Sequence, residues 1–119
     1  MTKASGRRVM IIEDDALLAL SLENMLGELG FAVMAKASRM ADALAIIAAD
    51  PRAFDAATIN IDLGGAEEVA ARLDAAGVPF IVITGDEDPL VLNRFAGRPI
   101  VLKPIVFEHL KRAFLFSSA

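Results

Sequence analysis

Short apolar runs that end in polar or glycine-containing sequence recur five times along the chain, and each is predicted to be a β-strand. Most of these runs lack the alternation of apolar and polar residues that marks a half-exposed strand, which indicates burial on both faces. The segment 80–83, Phe-Ile-Val-Ile, is the clearest example, and the segment 9–12, Val-Met-Ile-Ile, is similar. The predicted strands cover residues 9–12, 31–35, 56–61, 79–84 and 100–102.

Between these strands, apolar residues recur at helical spacing, which predicts five α-helices. Asp15 is expected to cap the first helix and Ser38 the second, because short polar side chains accept hydrogen bonds from the first free N–H groups of a helix. The predicted helices cover residues 16–29, 40–49, 66–76, 89–95 and 106–116.

The regular alternation of strand and helix predicts the α/β class, with an open five-stranded parallel sheet and helices on both faces. A chain of 119 residues fits one domain, and we expect that domain to span residues 1–119. Because crossovers between parallel strands are right-handed, the carboxyl ends of all five strands are expected at one edge of the sheet. Open α/β sheets bind their ligands at that edge.

Composition narrows the location of the protein and the class of its partners. The chain has no cysteine, which is typical of a reducing compartment, and no apolar stretch approaches the roughly 18 residues needed to cross a bilayer. The amino terminus lacks the apolar segment of a signal peptide, so a cytoplasmic protein without a membrane partner is expected. The net charge is −4, the basic residues are scattered, and Trp and Tyr are missing, which argues against nucleic-acid binding.

Chemically active side chains are predicted to gather at the carboxyl edge of the sheet. They are Glu13, Asp14, Asn60, Asp62, Thr84 and Lys103. Crowded carboxylates repel one another unless a cation lies between them, and hard oxygen ligands favour Mg²⁺. A hydroxyl and a lysine beside such a cation can bind phosphoryl oxygens.

Three motifs, in this order, give the chain a resemblance to the receiver domain of two-component response regulators. They are the acidic run after the first strand, the Thr84-Gly85 pair and the Lys103-Pro104 step, and the likeness runs from Val9 to about Phe116. The resemblance implies the flavodoxin-like (βα)5 fold and a role in signal transduction rather than enzymatic turnover. It also implies partners such as a histidine kinase or a phosphotransfer protein of a phosphorelay.

The resemblance assigns roles to individual residues. Glu13 and Asp14 match the acidic pair that holds Mg²⁺, and the position of Asp62 supplies a backbone carbonyl to the same ion. Thr84 matches the hydroxyl that moves toward a phosphoryl group, and Lys103 matches the lysine that bonds to that group. The peptide bond between Lys103 and the proline after it is expected to be cis.

Two positions depart from the family pattern. Asn60 lies where the family has the aspartate that accepts phosphate, and Asp62 lies where similar receivers often have asparagine, so the two residues look exchanged. Ile100 replaces the Tyr or Phe that moves inward with the threonine. A deliberate replacement at position 60 would leave its neighbour unchanged, so Asp62 argues against an introduced asparagine.

The asparagine at position 60 closes the usual chemistry. Phosphotransfer to a receiver needs a carboxylate nucleophile, and an amide is a poor nucleophile because its nitrogen lone pair is delocalised into the carbonyl. Loss of one negative charge also weakens Mg²⁺ binding. We therefore expect an atypical receiver that acts through a protein partner. The alternatives are a phosphate sink that uses Asp62 as its acceptor and, ranked last because the pocket lacks His and Cys, a small Mg²⁺-dependent phosphatase.

Several polar residues also have simpler interpretations. Lys103 could be only a structural partner of Glu13 and Asp14, and Thr84 could be a strand-end residue bonded to its own loop. His109 stands alone on the last helix and is expected at the surface. Solvated surface charges are expected at Glu67, Glu68, Asp86, Glu87 and Asp88.

The last helix carries information about partners. Phe107, Leu110 and Phe114 share one face and are expected to pack on the sheet. Leu115 and Phe116 fall partly outside that stripe, which indicates a partner surface or the cut edge of a longer protein. In receivers the face formed by the fourth helix, fifth strand and fifth helix commonly mediates dimerisation, so a homodimer is expected.

Overall fold

The computed structural model describes residues 7–117, and these form five strands that alternate with five helices. A single 3₁₀ turn at Pro51–Ala53, which the sequence analysis missed, precedes the third strand. The strands are β1 (Arg8–Ile12), β2 (Ala32–Ala37), β3 (Ala56–Asn60), β4 (Phe80–Thr84) and β5 (Ile100–Leu102). The helices are α1 (Ala16–Glu28), α2 (Met40–Ala49), α3 (Ala66–Ala75), α4 (Pro89–Asn93) and α5 (Phe107–Ser117).

All five strands are parallel and lie in the order β2-β1-β3-β4-β5, which confirms the predicted fold class. The direction of winding reverses between β1 and β3, and a crevice opens at the carboxyl ends of strands at such a point. The register places Ile12 opposite Ile59 and Asn60 opposite Ile83. The residues that follow β1, β3, β4 and β5 therefore come together at one edge.

Two apolar cores, one on each face of the sheet, hold the helices. On one face Met10, Ile59 and Val82 pack against residues of α2, α3 and the segment after α4, including Leu73 and Phe95. On the other face the alternate residues of the same strands pack against α1 and α5. Strands covered on both faces read as continuous apolar runs, which is why the sequence pattern identified them correctly.

The predicted helix ends agree with the structure at the start of α1 but differ from it at the start of α2 and the end of α4. Asp15 caps α1 as predicted, since its Oδ1 accepts from the N–H groups of Leu17 and Leu18 at 3.0 and 3.2 Å. The prediction for Ser38 is wrong: the residue at the N-cap of α2 is Arg39, and its side chain makes no capping hydrogen bond. Helix α4 is shorter than predicted because tight turns follow Asn93.

Helix α5 packs on the sheet largely as predicted. Leu110 and Phe114 are buried and Phe107 is half-buried, while Leu115 is exposed. The ring of Phe114 lies 4.6 Å, centroid to centroid, from that of Phe31. The predicted exposure of the Phe116 side chain lies outside the described residues. Across residues 7–117, none of the helices combines the length and the apolarity that a bilayer crossing would require.

Candidate functional site

The structure brings the six predicted site residues together at the carboxyl edge of the sheet. Three of them are buried, namely Glu13, Asn60 and Thr84. Asp14 and Asp62 are exposed, and Lys103 is half-buried at the rim. The buried residues end or follow central strands, whereas the exposed ones belong to the loops, so the site has a rigid floor and an open top.

The amide of Asn60 lies between the two acidic residues that follow β1. Its Nδ2 donates to Glu13 Oε2 at 3.1 Å and, more weakly, to Asp14 Oδ1 at 3.5 Å. Its Oδ1 accepts from the backbone N–H of Asp62 at 2.9 Å. Both ends of the amide are therefore engaged, and its N–H groups provide some of the positive charge density that two adjacent carboxylates need.

Glu13 is the most deeply buried acid of the site, with 4% of its surface exposed. Burial raises the pKa of Glu13 above its usual value, and the neighbouring Asp14 adds to the rise. The N–H of Asp15, the Lys103 ammonium and the Asn60 amide act in the opposite direction on the same pKa. Glu13 Oε1 has no hydrogen-bond partner among residues 7–117, and Lys103 Nζ lies 3.6 Å from it.

Lys103 reaches the site from the segment after β5 and lies between two carboxylates. Its Nζ is 3.6 Å from Glu13 Oε1 and 3.9 Å from Asp62 Oδ2, which is ion-pair distance but beyond a hydrogen bond. The peptide bond to Pro104 is cis, as the sequence analysis predicted.

The side chain of Asp62 points away from the acidic pair and toward β4. Thr84 Oγ1 donates to Asp62 Oδ1 at 2.5 Å, and the backbone N–H of Gly85 donates to Asp62 Oδ2 at 3.0 Å. In residues 7–117 no three acidic, histidine or cysteine side chains are grouped to hold a metal ion. The Asp62 carboxylate is therefore bonded to Thr84 and Gly85 and not to the acidic pair.

The loop after β4 is held by a series of hydrogen bonds that the sequence analysis did not anticipate. Thr84 Oγ1 accepts from the N–H of Asp86 at 3.0 Å, and Asp86 Oδ1 accepts from the N–H of Asp88 at 2.8 Å. Asp88 then caps α4 by accepting from the N–H of Leu90 at 2.9 Å. These aspartates are exposed, as predicted, but they also order the loop. Their spacing before Pro89 was the available signal, since an aspartate before an N1 proline is a typical N-cap.

The remaining predicted surface charges are exposed, although some of them form ion pairs. Glu67 lies 3.2 Å from Arg94 and Glu68 lies 3.9 Å from Arg72. His109 is exposed, as predicted. Ile100 is half-buried and packs against the core on the α2–α3 face.

Comparison with known proteins gives matches among solved structures. Neither the protein-family models nor the curated proteins compared with the chain match it. A signal receiver domain of a modulated diguanylate cyclase from Desulfovibrio desulfuricans G20 is 31% identical, with 92% of this chain and 91% of that chain covered and a TM-score of 0.78. SdrG from Sphingomonas melonis Fr1 is 30% identical, with 99% and 100% covered and a TM-score of 0.81.

More distant structures share the fold at lower identity. A CheX–CheY complex with BeF₃ and Mg²⁺ from Borrelia burgdorferi is 13% identical, with 97% of this chain and 91% of that chain covered and a TM-score of 0.85. At that identity the likeness concerns the fold alone.

Proposed function

The chain belongs to the receiver domains of two-component response regulators, and we propose that it is a receiver that is not phosphorylated at position 60 and signals by binding a protein partner. The observation that carries this proposal is the Asn60 amide, which lies beside Glu13 and Asp14. An amide offers no carboxylate oxygen with which to form an acyl phosphate. We also propose that the domain catalyses no turnover, because the pocket residues of the described chain include no histidine or cysteine.

Magnesium would be held weakly by this site. Glu13 and Asp14 offer carboxylate oxygens and Asp62 a backbone carbonyl, which is a donor set that suits Mg²⁺. The ion would supply positive charge beside a phosphoryl group. In this chain, however, Asn60 Nδ2 donates to both carboxylates and Lys103 Nζ lies 3.6 Å from the free oxygen of Glu13. These donors already reduce the repulsion between the two carboxylates. A bound cation would therefore stabilise them less than it would stabilise a pocket with a third carboxylate.

The proposed partner is another signalling protein, such as a histidine kinase, a phosphotransfer protein or a second copy of this chain. The support is a group of exposed apolar residues on α4, on β5, directly before α5 and on α5. They are Leu90, Leu102, Val106 and Leu115. Exposed apolar side chains on neighbouring elements are typical of interaction surfaces, and the same face was the one predicted to form a homodimer.

The test of the proposal is the intact mass of the protein after incubation with Mg²⁺ and a small acyl-phosphate donor. We expect no stable gain of a phosphoryl group in the wild type. The matched control is Asn60→Asp, which restores a carboxylate in the same place and is expected to gain one phosphoryl group. A wild-type protein that is phosphorylated to the same extent as the variant contradicts the proposal.

A second candidate function, a phosphate sink that uses Asp62, is less favoured by the geometry. Both carboxylate oxygens of Asp62 accept hydrogen bonds, from Thr84 and Gly85. A phosphoryl group on either oxygen would displace the donors expected to bind that group. If the wild type gains mass and Asp62→Asn does not, Asp62 is the acceptor and this second function is correct.

The homodimer is tested by light scattering over a range of protein concentrations. Leu90 on α4 has 77% of its surface exposed, and Leu17 on α1 has 78% exposed, so the two leucines form a matched pair. We expect a mass that rises with concentration in the wild type and in Leu17→Asp, and a monomer in Leu90→Asp. A wild-type protein that stays monomeric at high concentration removes the homodimer from the list of partners.

A further inference from the structure

Three polar groups from two separate parts of the chain surround the carboxylate of Asp62. They are the hydroxyl of Thr84 at 2.5 Å, the backbone N–H of Gly85 at 3.0 Å and the ammonium of Lys103 at 3.9 Å. Thr84 ends β4, Gly85 begins the loop after it, and Lys103 follows β5. A hydroxyl, a backbone N–H and an ammonium directed at one point are the donor set of a site for a small oxyanion.

The place of Asp62 in this donor set is not imposed by packing. Its side chain is 37% exposed and comes from the loop after β3, so apolar burial does not hold it there. Charge-assisted hydrogen bonds are stronger than neutral ones and are sufficient to orient an exposed carboxylate. The carboxylate therefore lies beside Thr84 because the donors attract it.

The receiver resemblance assigns phosphoryl binding to Thr84 and Lys103, and we infer that in this chain Asp62 is the resident ligand of that site, built into the chain and bonded also to the N–H of Gly85. Two carboxylate oxygens take the place that two oxygens of a phosphate or sulfate ion would occupy. The site is then satisfied without any covalent modification. This inference deepens the proposed function and rests on it in one respect, since an unphosphorylated position 60 leaves the donors free for Asp62.

The occupied site is connected to α4 by hydrogen bonds. The Thr84 hydroxyl donates its proton to Asp62, and the same oxygen accepts from the N–H of Asp86. The bonds continue through Asp86 and Asp88 to the N–H of Leu90, the exposed apolar residue at the start of α4. The Thr84 hydroxyl has a single proton. When that proton is donated to Asp62, the lone pairs of the same oxygen are oriented to accept from the N–H of Asp86. The internal ligand thus holds the loop and the position of the partner surface.

A purely electrostatic role for Asp62 makes a different prediction. If the carboxylate only balanced the charge of Lys103, its removal would leave the hydrogen bonds of the loop unchanged. If it is a ligand, its removal loosens the backbone amides of residues 85, 86, 88 and 90. The same removal also empties a site that an added oxyanion can refill.

The experiment is amide hydrogen exchange by NMR on the full chain carrying Asp62→Ala, with EDTA present. We expect exchange at Gly85, Asp86, Asp88 and Leu90 to rise about tenfold, as for the loss of one charge-assisted bond. Inorganic phosphate is expected to slow exchange at these amides again in the variant but to leave the wild type unchanged. Sodium chloride at equal ionic strength separates binding of phosphate from screening.

The matched control is Glu67→Ala, which removes one exposed negative charge from the first turn of α3 at the same edge but no bond to the loop after β4. We expect no change at the four amides in this variant, with or without phosphate. Wild-type exchange in Asp62→Ala, or an equal phosphate effect in wild type and variant, would overturn the inference. Because the exchange experiment and the mass test have separate readouts, failure of the inference can be distinguished from failure of the proposed function.

Discussion

Glu13 and Asp62 are two carboxylates on either side of Lys103, and they have opposite environments. Glu13 is buried, and one of its oxygens accepts no hydrogen bond from the described residues. Asp62 is exposed, and both of its oxygens accept hydrogen bonds. Solvation normally favours the opposite distribution, in which the buried charge has the more complete set of partners. The comparison shows that the buried half of the pocket leaves one carboxylate oxygen without a hydrogen-bond donor, whereas both oxygens of the exposed carboxylate have donors from the chain itself.

The residue types at positions 60 and 62 account for this difference. The amide at position 60 donates to the acidic pair, but it provides only partial positive charge to Glu13 and Asp14. The carboxylate at position 62 lies within reach of Thr84 and Gly85, which are donors without a competing acid. The pocket thus has one part in which a buried carboxylate oxygen lacks a donor and one part in which an exposed carboxylate has donors for both oxygens.

The largest expected effect comes from removing the Asn60 amide, which donates hydrogen bonds to Glu13 and Asp14. Asn60→Asp replaces the amide N–H groups with a third carboxylate beside Glu13 and Asp14, so we expect a loss of about 2 kcal/mol of stability without metal. Mg²⁺ should recover much of this loss, since an ion that binds only the folded state stabilises it. Urea unfolding in EDTA and in Mg²⁺ measures both effects. Equal stability of variant and wild type in EDTA would contradict our account of Asn60.

A second variant tests the buried charge directly through pH. The pKa of Glu13 is raised in the folded protein, so the native state binds more protons than the unfolded state above pH 4.5. Stability in EDTA should therefore fall as pH rises from 4.5 through the folded pKa and then level off. Glu13→Gln is expected to lack this decline and to be more stable than the wild type at neutral pH. A difference between the two proteins that does not change with pH would refute the burial effect.

A third variant shows whether an underbonded buried oxygen is costly outside the pocket. Thr58 lies in β3 with no exposed surface, and its Oγ1 has no hydrogen-bond partner in the described chain. Thr58→Val keeps the shape and removes the hydroxyl, so we expect a gain of about 1 kcal/mol in the free energy of unfolding. Denaturant unfolding measures it, with Thr58→Ser as a control that keeps the hydroxyl. An unchanged or lower stability of the valine variant would mean that the hydroxyl is satisfied.

The smallest effect is expected at a carboxylate that resembles Asp62 in exposure and bonding. Asp55 accepts hydrogen bonds from the backbone and side chain of Arg8, and these bonds lower its pKa. Its contribution is present above pH 3.8 and is lost as pH falls through the folded pKa. Asp55→Asn should cost at most about 0.5 kcal/mol at neutral pH, because solvent screens the pair. An acid titration of stability would show the two proteins converging at low pH, and a constant difference would argue against the ion pair.

Much of the fold was predictable because the central strands are covered on both faces. Continuous apolar runs predicted β1, β3 and β4. The order of strands and helices along the chain predicted that Glu13, Asn60, Thr84 and Lys103 lie at one edge. Short-range hydrogen-bond chemistry predicted the Asp15 cap. The predicted Ser38 cap was wrong because the sequence alone did not show whether α2 begins directly after Ser38 or one residue later.

The direction of the Asp62 side chain could not be predicted from sequence. It depends on where the hydroxyl of Thr84 and the N–H of Gly85 point, and these groups are 22 and 23 residues away along the chain. The loop bonds of Asp86 and Asp88 were missed for a different reason. Exposure and hydrogen bonding were treated as alternatives, although an exposed aspartate commonly does both.

If position 60 is not phosphorylated, as we propose, the amide there also limits how long a response can last. A phosphorylated protein keeps a record of its stimulus until the acyl phosphate hydrolyses, so its duration is set by a chemical half-life. A domain without that bond has no such memory. Its output would persist only while a complex exists, and its timing would follow the dissociation rate and the abundance of its partner.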